Sequence, residues 1–367
     1  MKILEVTFHL ASGGAERFVV DLSNELAKSN DVTLLALRDD SVNPEVRNFY
    51  KEDLAANVHY ECLGLKDGLR PSMWWKICQY INKHKPEIVH YHGDPMPFWM
   101  LVPMIFSSKK IKYVQTIHSD IHNGYDTFIY RWLVRLLGNN HRVRFVALSD
   151  TNYHELMSLY PNVCATCIVN GRSPMSPTGK WDEVASELAA YRHTSKTKLF
   201  LHVARCDVVK NQNRLIRVFN QLEERGYDAE LLIIGAGYDE QLGKEMYAMA
   251  NKHIHFLGIR KNIADYMLLT DVFCLSSDFE GMPISLIEAL LCGTPAVSTP
   301  VCGSVDAIKS GINGYLSTSF SDEDYLQALI SSYDNWNTIK KNAMEQKDIC
   351  PYTIKECAEK YLNFFKE

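Results

Sequence analysis

Residues Ser276–Pro295 read SSDFEGMPISLIEALLCGTP, and they place two glutamates eight positions apart, Glu280 before a proline and Glu288 inside an apolar run. The residues just upstream, Asp271–Ser277, are β-rich, and Pro283 suits the first turn of a helix that Gly293 and Pro295 then stop. The stretch therefore predicts strand, loop and helix in succession. Ile284, Ile287 and Leu291 mark the apolar stripe of that helix, and Glu288, four residues after Ile284, falls on the same side. A buried carboxylate without partners costs several kcal/mol or gives up its charge. Glu288 therefore requires donors: a lysine or arginine of the protein, or the two hydroxyls of a vicinal diol such as a ribose. Glu280 lies on the loop, beside the backbone amides of Gly281, Met282 and Ile284, whereas Pro283 has no N–H to offer. Amides at a helix start can hold phosphate or sugar oxygens.

Outward from this stretch the same alternation recurs. KILEVTFHL, DVTLLAL, PEIVHYH, KYVQTIH and RFVALS read as strands, each running into a polar or glycine-bearing loop before the next helical pattern. At CIVNGRSPMSPTGKW, Gly171, Pro174, Pro177 and Gly179 break the periodicity, and the alternation restarts with KLFLHVA, AELLIIG, IHFLG, DVFCLSS, TPAVSTP and GYLS. The chain of 367 residues thus predicts an α/β protein of two domains, each a Rossmann-like parallel sheet with helices on both faces, facing each other across a cleft. Expected boundaries are 1–170, 171–350 and a final helix over 351–367. Ligands of such sheets sit at the carboxyl ends of the strands, so the loops there are the places to search.

Three further groups lie on such loops. In HVARCDVVKNQ, Arg205 ends a strand and Lys210 stands at the start of the next helix, two cations suited to a polyanion. Fixed cations aimed at the charge that builds on a departing diphosphate stabilise a transition state, by about 3–4 kcal/mol for a single donor. In HLASGGAER, Gly13 and Gly14 join the first strand to the first helix, either for a tight turn or to let the backbone approach a ligand. His118 and His92 each end a strand, while His90 alternates into the sheet as a core residue. The dinucleotide fingerprint G-x-G-x-x-G is missing: after LLII, Gly235 and Gly237 are followed by Glu240 where the third glycine belongs, which argues against a nicotinamide enzyme.

Composition narrows the partners. A net charge of -5 argues against a general nucleic-acid binder, which needs a basic surface. Lys66–Arg144 nevertheless carries twelve Lys and Arg against five Asp and Glu, interleaved with aromatics such as Trp132 and with MPFWMLVPMIF, a composition that suits an anionic membrane surface or an ordinary solvated face. No run reaches the roughly 18 apolar residues of a membrane span. MKILEVTFHL breaks at Glu5 and reads as a first strand, and ten scattered cysteines with the single C-x-x-C of Cys164 and Cys167 fit a reduced cytoplasmic setting, at the inner face of the cell membrane if the basic segment touches it.

Taken together, GGAER, TIHSD, VNGR, VAR…K, IIGAG, FLG and EGMPISLIEA occur in an order that resembles glycosyltransferase family 4, a retaining family of the GT-B fold, here of the bacterial surface-polysaccharide type. The resemblance covers nearly the whole chain, and the pair of glutamates with an upstream arginine and lysine is its most specific part. It implies an N-terminal acceptor-binding domain, a C-terminal donor domain and a last helix that packs back toward the first domain. It also implies that Glu288 holds the ribose of a nucleotide-sugar donor, that Glu280, Gly281, Met282 and Ile284 surround the transferred sugar, and that Arg205 and Lys210 neutralise its diphosphate. His118 would contact the sugar, Gly13 and Gly14 would approach the phosphates and acceptor, and Ile259 and Arg260 would lie near the base. The implied activity transfers a hexose or N-acetylhexosamine from a nucleoside-diphosphate sugar, UDP favoured, to a glycan or lipid-linked glycan, with no cofactor and no metal. Asp322–Asp324 opens a helix, where acidic residues complement the dipole, and is not a metal signature. A non-catalytic nucleotide-sugar-binding partner subunit and a nucleotide-sugar epimerase of similar fold are the alternatives. Ala204 before Arg205, where the family often has glycine, and NGRSP at the domain boundary depart from the family pattern.

Overall fold

The computed structural model describes residues 1–68, 70–93, 96–118, 128–138 and 142–367. The chain divides into two compact units, Met1–Ser173 joined by Tyr352–Glu367, and the continuous stretch Pro174–Pro351. The first unit holds strands β1 (Lys2–Thr7), β2 (Asp31–Arg38), β3 (Val58–Leu65), β4 (Ile88–Tyr91), β5 (Lys112–Thr116), β6 (Val143–Ala147) and β7 (Cys164–Cys167). They form one sheet in the order β3-β2-β1-β4-β5-β6-β7, and every neighbouring pair is parallel. The second unit holds β8 (Lys198–Val203), β9 (Ala229–Ile234), β10 (Ile254–Gly258), β11 (Val272–Leu275), β12 (Ala296–Ser298) and β13 (Gly314–Leu316), in the order β10-β9-β8-β11-β12-β13 and again all parallel.

Each sheet has one point at which successive connections turn in opposite directions. In the first unit it lies between β1 and β4, and in the second between β8 and β11. At such a switch point the loops leaving two adjacent strands diverge and open a crevice for ligand. Both sheets are covered on two faces, so their central strands are apolar without alternation, as in β9, whose six residues are all buried. The stripe Leu215, Phe219 and Leu222 of the Gln212–Glu224 helix is buried as its spacing predicts, with Phe219 edge-on to Phe200 of β8.

Two edge strands, β3 and β7, were not anticipated. The residues of β3 are mostly partly exposed and those of β7 entirely so, because each has a partner on one side only, and the apolar signal that betrays a central strand is weak there. Cys164 and Cys167 are thereby accounted for as ends of an edge strand, and all ten cysteines are unbridged.

The last helix, Ile354–Lys366, belongs to the first unit. Thr353 caps it by accepting a hydrogen bond from the Glu356 amide, and Cys357, Tyr361, Phe364 and Phe365 are buried. Its final carbonyls receive cations: the Lys112 Nζ donates to the Phe365 and Lys366 carbonyls at 3.0 and 3.2 Å. The Arg144 guanidinium donates to the Phe364 carbonyl and lies 3.8 Å from the centre of the Phe364 ring, with Glu367 Oε2 at 3.0 Å. Positive charge at a helix C-terminus complements its dipole. This corrects one expectation, since Arg144 is a buried anchor for the last helix and not part of a basic surface. Replacing Arg144 by alanine leaves the Phe364 carbonyl without this donor and removes the cation from the ring. We expect a loss of about 2–4 kcal/mol of stability, read as a lowered urea midpoint of the first unit.

Candidate functional site

In the second unit the loops after β8 and β11 leave from the switch point side by side. After β8 the chain passes Arg205 and makes a short 3-10 turn, Val208–Lys210, capped by the Asp207 carboxylate. Asn211 then takes a left-handed conformation, φ 44°, and its side chain caps the Gln212–Glu224 helix through the Arg214 amide. After β11 the chain runs through Ser276, Ser277 and Asp278 to Glu280, and Pro283 opens the Ile284–Leu291 helix. The two loops are cross-braced. The Asp278 amide donates to the Val209 carbonyl at 2.8 Å, and the Ser276 hydroxyl to the Lys210 carbonyl at 2.9 Å. Asn211 donates to both Asp278 oxygens, and buried Arg214 bridges the Ser276 carbonyl and the Asp278 carboxylate at 2.9 and 2.8 Å. This frame sets the Lys210 ammonium 2.5 Å from Glu280 Oε1, which also accepts from the Ser277 hydroxyl at 2.7 Å.

Two glycines fix the surroundings. Gly303, at φ 73°, follows β12 and lies so close to the Glu280 loop that a Cβ there would meet the Gly281 carbonyl and the Met282 sulfur at 2.7 Å. Gly235, just after β9, approaches the Ala204 backbone so closely that a Cβ there would clash with it. Arg205 is 62% exposed, with its guanidinium 2.9 Å from Asp207, and its backbone carbonyl is held by Gln212. Gly281, Met282 and Ile284 are buried around the start of the helix, and Glu288 sits on its inner face at 7% exposure. Ile259 is exposed. The Arg260 guanidinium is held by Tyr266 and Glu187 at 2.9 and 3.2 Å.

Behind the Lys210–Glu280 pair lies His202 of β8, fully buried. Burial brings its ring down to about 4, and the nearby Lys210 charge acts in the same direction, against the hydrogen bond to the Cys274 carbonyl. His202 Nδ1 lies 2.8 Å from that carbonyl, which makes it the protonated nitrogen of a neutral ring, and Nε2 has no partner among the described residues. Neither His202 nor Ser277 was anticipated. A histidine inside an apolar strand carries no mark of function, and a serine three residues before a glutamate has none either.

In the first unit, Gly13 caps the Gly14–Leu26 helix in extended conformation, φ -129°, at the end of the β1 loop. Its missing Cβ leaves room for the Glu16 carboxylate, which would otherwise lie 2.2 Å from it. Phe18 of the same helix packs edge-on to His92 and His118, so the glycine turn and the histidines that follow β4 and β5 share the carboxyl end of the sheet. Ser119 and Asp120 of the TIHSD motif lie outside the described residues.

His118 ends a polar chain that runs into the core. Its Nε2 lies 3.1 Å from His92 Nδ1, and His92 Nε2 lies 2.6 Å from Glu5 Oε2. Glu5 also meets His90 Nδ1 at 3.2 Å through Oε1, His90 Nε2 meets the Thr116 hydroxyl at 2.8 Å, and that hydroxyl meets Tyr361 of the last helix at 2.8 Å. Burial alone would raise the Glu5 carboxyl, but the charge of His90 and the hydrogen bonds from both histidines outweigh it and hold it at about 2. Burial lowers His92 to about 4, with His90 adding to the effect. It also pushes His118 well below the ordinary imidazole value, helped by His92 and His90. At neutral pH, Glu5 is therefore ionised while His92 and His118 are neutral, and His118 presents a neutral ring at the strand edge.

Comparison with known proteins agrees with this architecture. Residues 12–172 match the model of Glycosyltransferase Family 4 and residues 185–348 that of Glycosyl transferases group 1, between them nearly the full length. Among relatives, the amylovoran biosynthesis glycosyltransferase AmsD of Erwinia amylovora is 24% identical over 331 residues, covering 88% of this chain and 87% of its own. The N-acetyl-alpha-D-glucosaminyl L-malate synthase of Bacillus anthracis is 29% identical over 130 residues, 34% of this chain and 33% of that protein, so this alignment spans only a third of the relative. Among solved structures, Anabaena HepE in complex with UDP and glucose superposes with a TM-score of 0.78 at 17% identity, covering 100% of this chain and 99% of that one. The protein belongs to glycosyltransferase family 4, and its fold is GT-B.

The buried histidines make the first unit sensitive to acid. His92 titrates near 4 in the fold against 6.5 in an open chain, so between those values the unfolded chain takes up a proton that the folded chain refuses, and stability falls as pH falls. Glu5, at about 2 against 4.5, contributes stability that is present above 4.5 and lost as pH drops toward 2. Calorimetry from pH 7 to pH 4 should show a steadily decreasing melting temperature. A midpoint that stays flat across this window contradicts a neutral His92.

Proposed function

We propose that the protein is a retaining glycosyltransferase that moves a hexose or N-acetylhexosamine from a nucleoside-diphosphate sugar, with UDP favoured, to a glycan or lipid-linked glycan in cell-surface polysaccharide biosynthesis. The observation that carries this reading is the braced pair of Lys210 and Glu280 at the switch point of the second sheet, 2.5 Å apart and with Arg205 on the same loop. Lys210 and Arg205 hold the donor diphosphate. When it binds, the ammonium shares its charge between phosphate and Glu280, while Ser277 keeps the glutamate in place. Glu280 accepts hydrogen bonds from the sugar and stabilises positive charge at the anomeric carbon, and Glu288 grips the ribose hydroxyls.

In the transfer step the acceptor oxygen forms a bond to the anomeric carbon on the face that the diphosphate leaves. The carbon–oxygen bond to the diphosphate breaks with its electron pair going to the diphosphate, and the acceptor proton passes to a phosphate oxygen. The two cations supply the charge that a divalent ion supplies in other transferases, so the step needs no metal. His118, neutral, donates or accepts a hydrogen bond to a sugar hydroxyl, and Gly13 and Gly14 let the backbone come near phosphate and acceptor.

A lipid-linked acceptor fits the surface of the first unit. Trp75, Ile105, Phe106, Phe128 and Trp132 are exposed, and the rings of Trp75 and Phe106 lie 5.5 Å apart. Lys76, Lys109, Lys110 and Arg135 stand exposed beside them, the combination that suits an anionic bilayer. Among the described residues no helix is long and apolar enough to cross a membrane. We propose that the protein acts in the cytoplasm and touches the inner face of the membrane through the exposed basic and aromatic residues of this unit. Incubation with UDP-sugars and a lipid-linked glycan should release UDP and yield a product of retained anomeric configuration by NMR. Lys210→Ala and Glu280→Gln should each lower kcat by about 100- to 1000-fold with folding intact. A sugar epimerised without acceptor would mark an epimerase instead, and binding without turnover a partner subunit.

A further inference from the structure

The amino ends of β9 and β10 in the second sheet carry a second polar cluster that the transfer reaction does not use. Glu230 is the second residue of β9, and its side chain is only 1% exposed. Among the described residues its partners are all imidazoles. His193, on the loop before β8, brings Nε2 to 3.0 Å from Oε1, and His253, just before β10, brings Nδ1 to 2.7 Å from the same oxygen. His255 of β10 approaches the other oxygen, Oε2, at 2.6 Å through Nε2. The ligating atoms of His193, Glu230 and His253 all lie within 4.8 Å of one another.

We propose that His193 Nε2, His253 Nδ1 and Glu230 Oε1 form a binding site for a divalent transition metal of the zinc class. Two nitrogens converge on one carboxylate oxygen, and ligands of a tetrahedral zinc site are about 3.3 Å apart given metal–ligand distances of about 2.0–2.1 Å. An N,N,O set of two imidazoles and a carboxylate suits zinc, cobalt or nickel, whereas calcium and magnesium prefer oxygen alone.

The surroundings supply what such a site requires beyond its ligands. A ligating histidine ordinarily gives its second N–H to a carboxylate. His253 Nε2 faces Glu223 Oε1 at 3.6 Å, and His255 Nε2–H holds the carboxylate oxygen that the metal does not use. His255 is itself packed on the Tyr191 ring at 4.4 Å. His193 is 59% exposed, which leaves an entry path and a position for water. A dication here would sit against the buried Glu230 carboxylate and take the imidazoles as lone-pair donors. The bound ion would staple the loop before β8 to the amino ends of β9 and β10, far along the strands from Lys210 and Glu280.

The test uses untagged full-length protein stripped with chelator. Co2+ followed by visible absorption, and Zn2+ by calorimetry, should each saturate at one equivalent and raise the melting temperature. His253→Ala should abolish binding, His193→Ala should weaken it at least tenfold, and Glu223→Gln should weaken it by about 10- to 100-fold. Circular dichroism of the His193→Ala chain, altered only on an exposed loop, separates loss of the site from loss of the fold. Absence of saturable uptake by the folded protein, or uptake unchanged in both His193→Ala and Glu223→Gln, overturns the proposal. Neither result bears on sugar transfer.

Discussion

The ion pair between Lys210 and Glu280 is the interaction on which the rest of the loop frame in the second unit depends. Both side chains are sheltered, at 24% and 10% exposure, so either charge left alone would be poorly solvated. The pair cannot hold itself, because a lysine on a short turn and a glutamate on a loop would otherwise move independently. Asp278, with Asn211 and Arg214 behind it, ties the two loops into one frame. The cost of orienting the charges is therefore met during folding, before any ligand arrives, and such preorganisation makes a fixed charge effective against a developing one.

Much of this frame was legible in the sequence where a residue carries its own signal. All six strands of the second sheet stand out as apolar runs that end in loops, and Pro283 and the glycines mark the turns. Glu288 is conspicuous because a carboxylate interrupts an apolar stripe. What escaped detection depends on residues distant in sequence. Asp278 looks like an ordinary loop acid until the fold brings Arg214 beside it, 64 positions away. Glu5 reads as a break in an apolar strand, and only the pairing of β1 with β4 shows that it faces His90, 85 positions on. The edge strands escaped for another reason, since half-exposed residues follow no strong pattern.

The two units handle charge in different ways. In the second, opposite charges meet near the surface and remain available to a ligand. In the first, one ionised carboxylate lies at the bottom of the core and a row of neutral imidazoles leads outward from it to His118. Such a row fixes ring orientation and tautomer without placing a net charge at the strand edge. A neutral ring there can meet a hydroxyl either as donor or as acceptor.

The division of the chain bears on its synthesis. The second unit is one uninterrupted stretch and has all of its residues once Pro351 has emerged from the ribosome. The first must wait for the final helix, because Tyr361 closes the polar row at Thr116 and Arg144 has nothing to anchor until Phe364 arrives. The half of the protein made first is thus the half finished last, and a nonsense codon after Pro351 would spare the second unit while leaving the nascent first unit with an open core for chaperones and proteases to find.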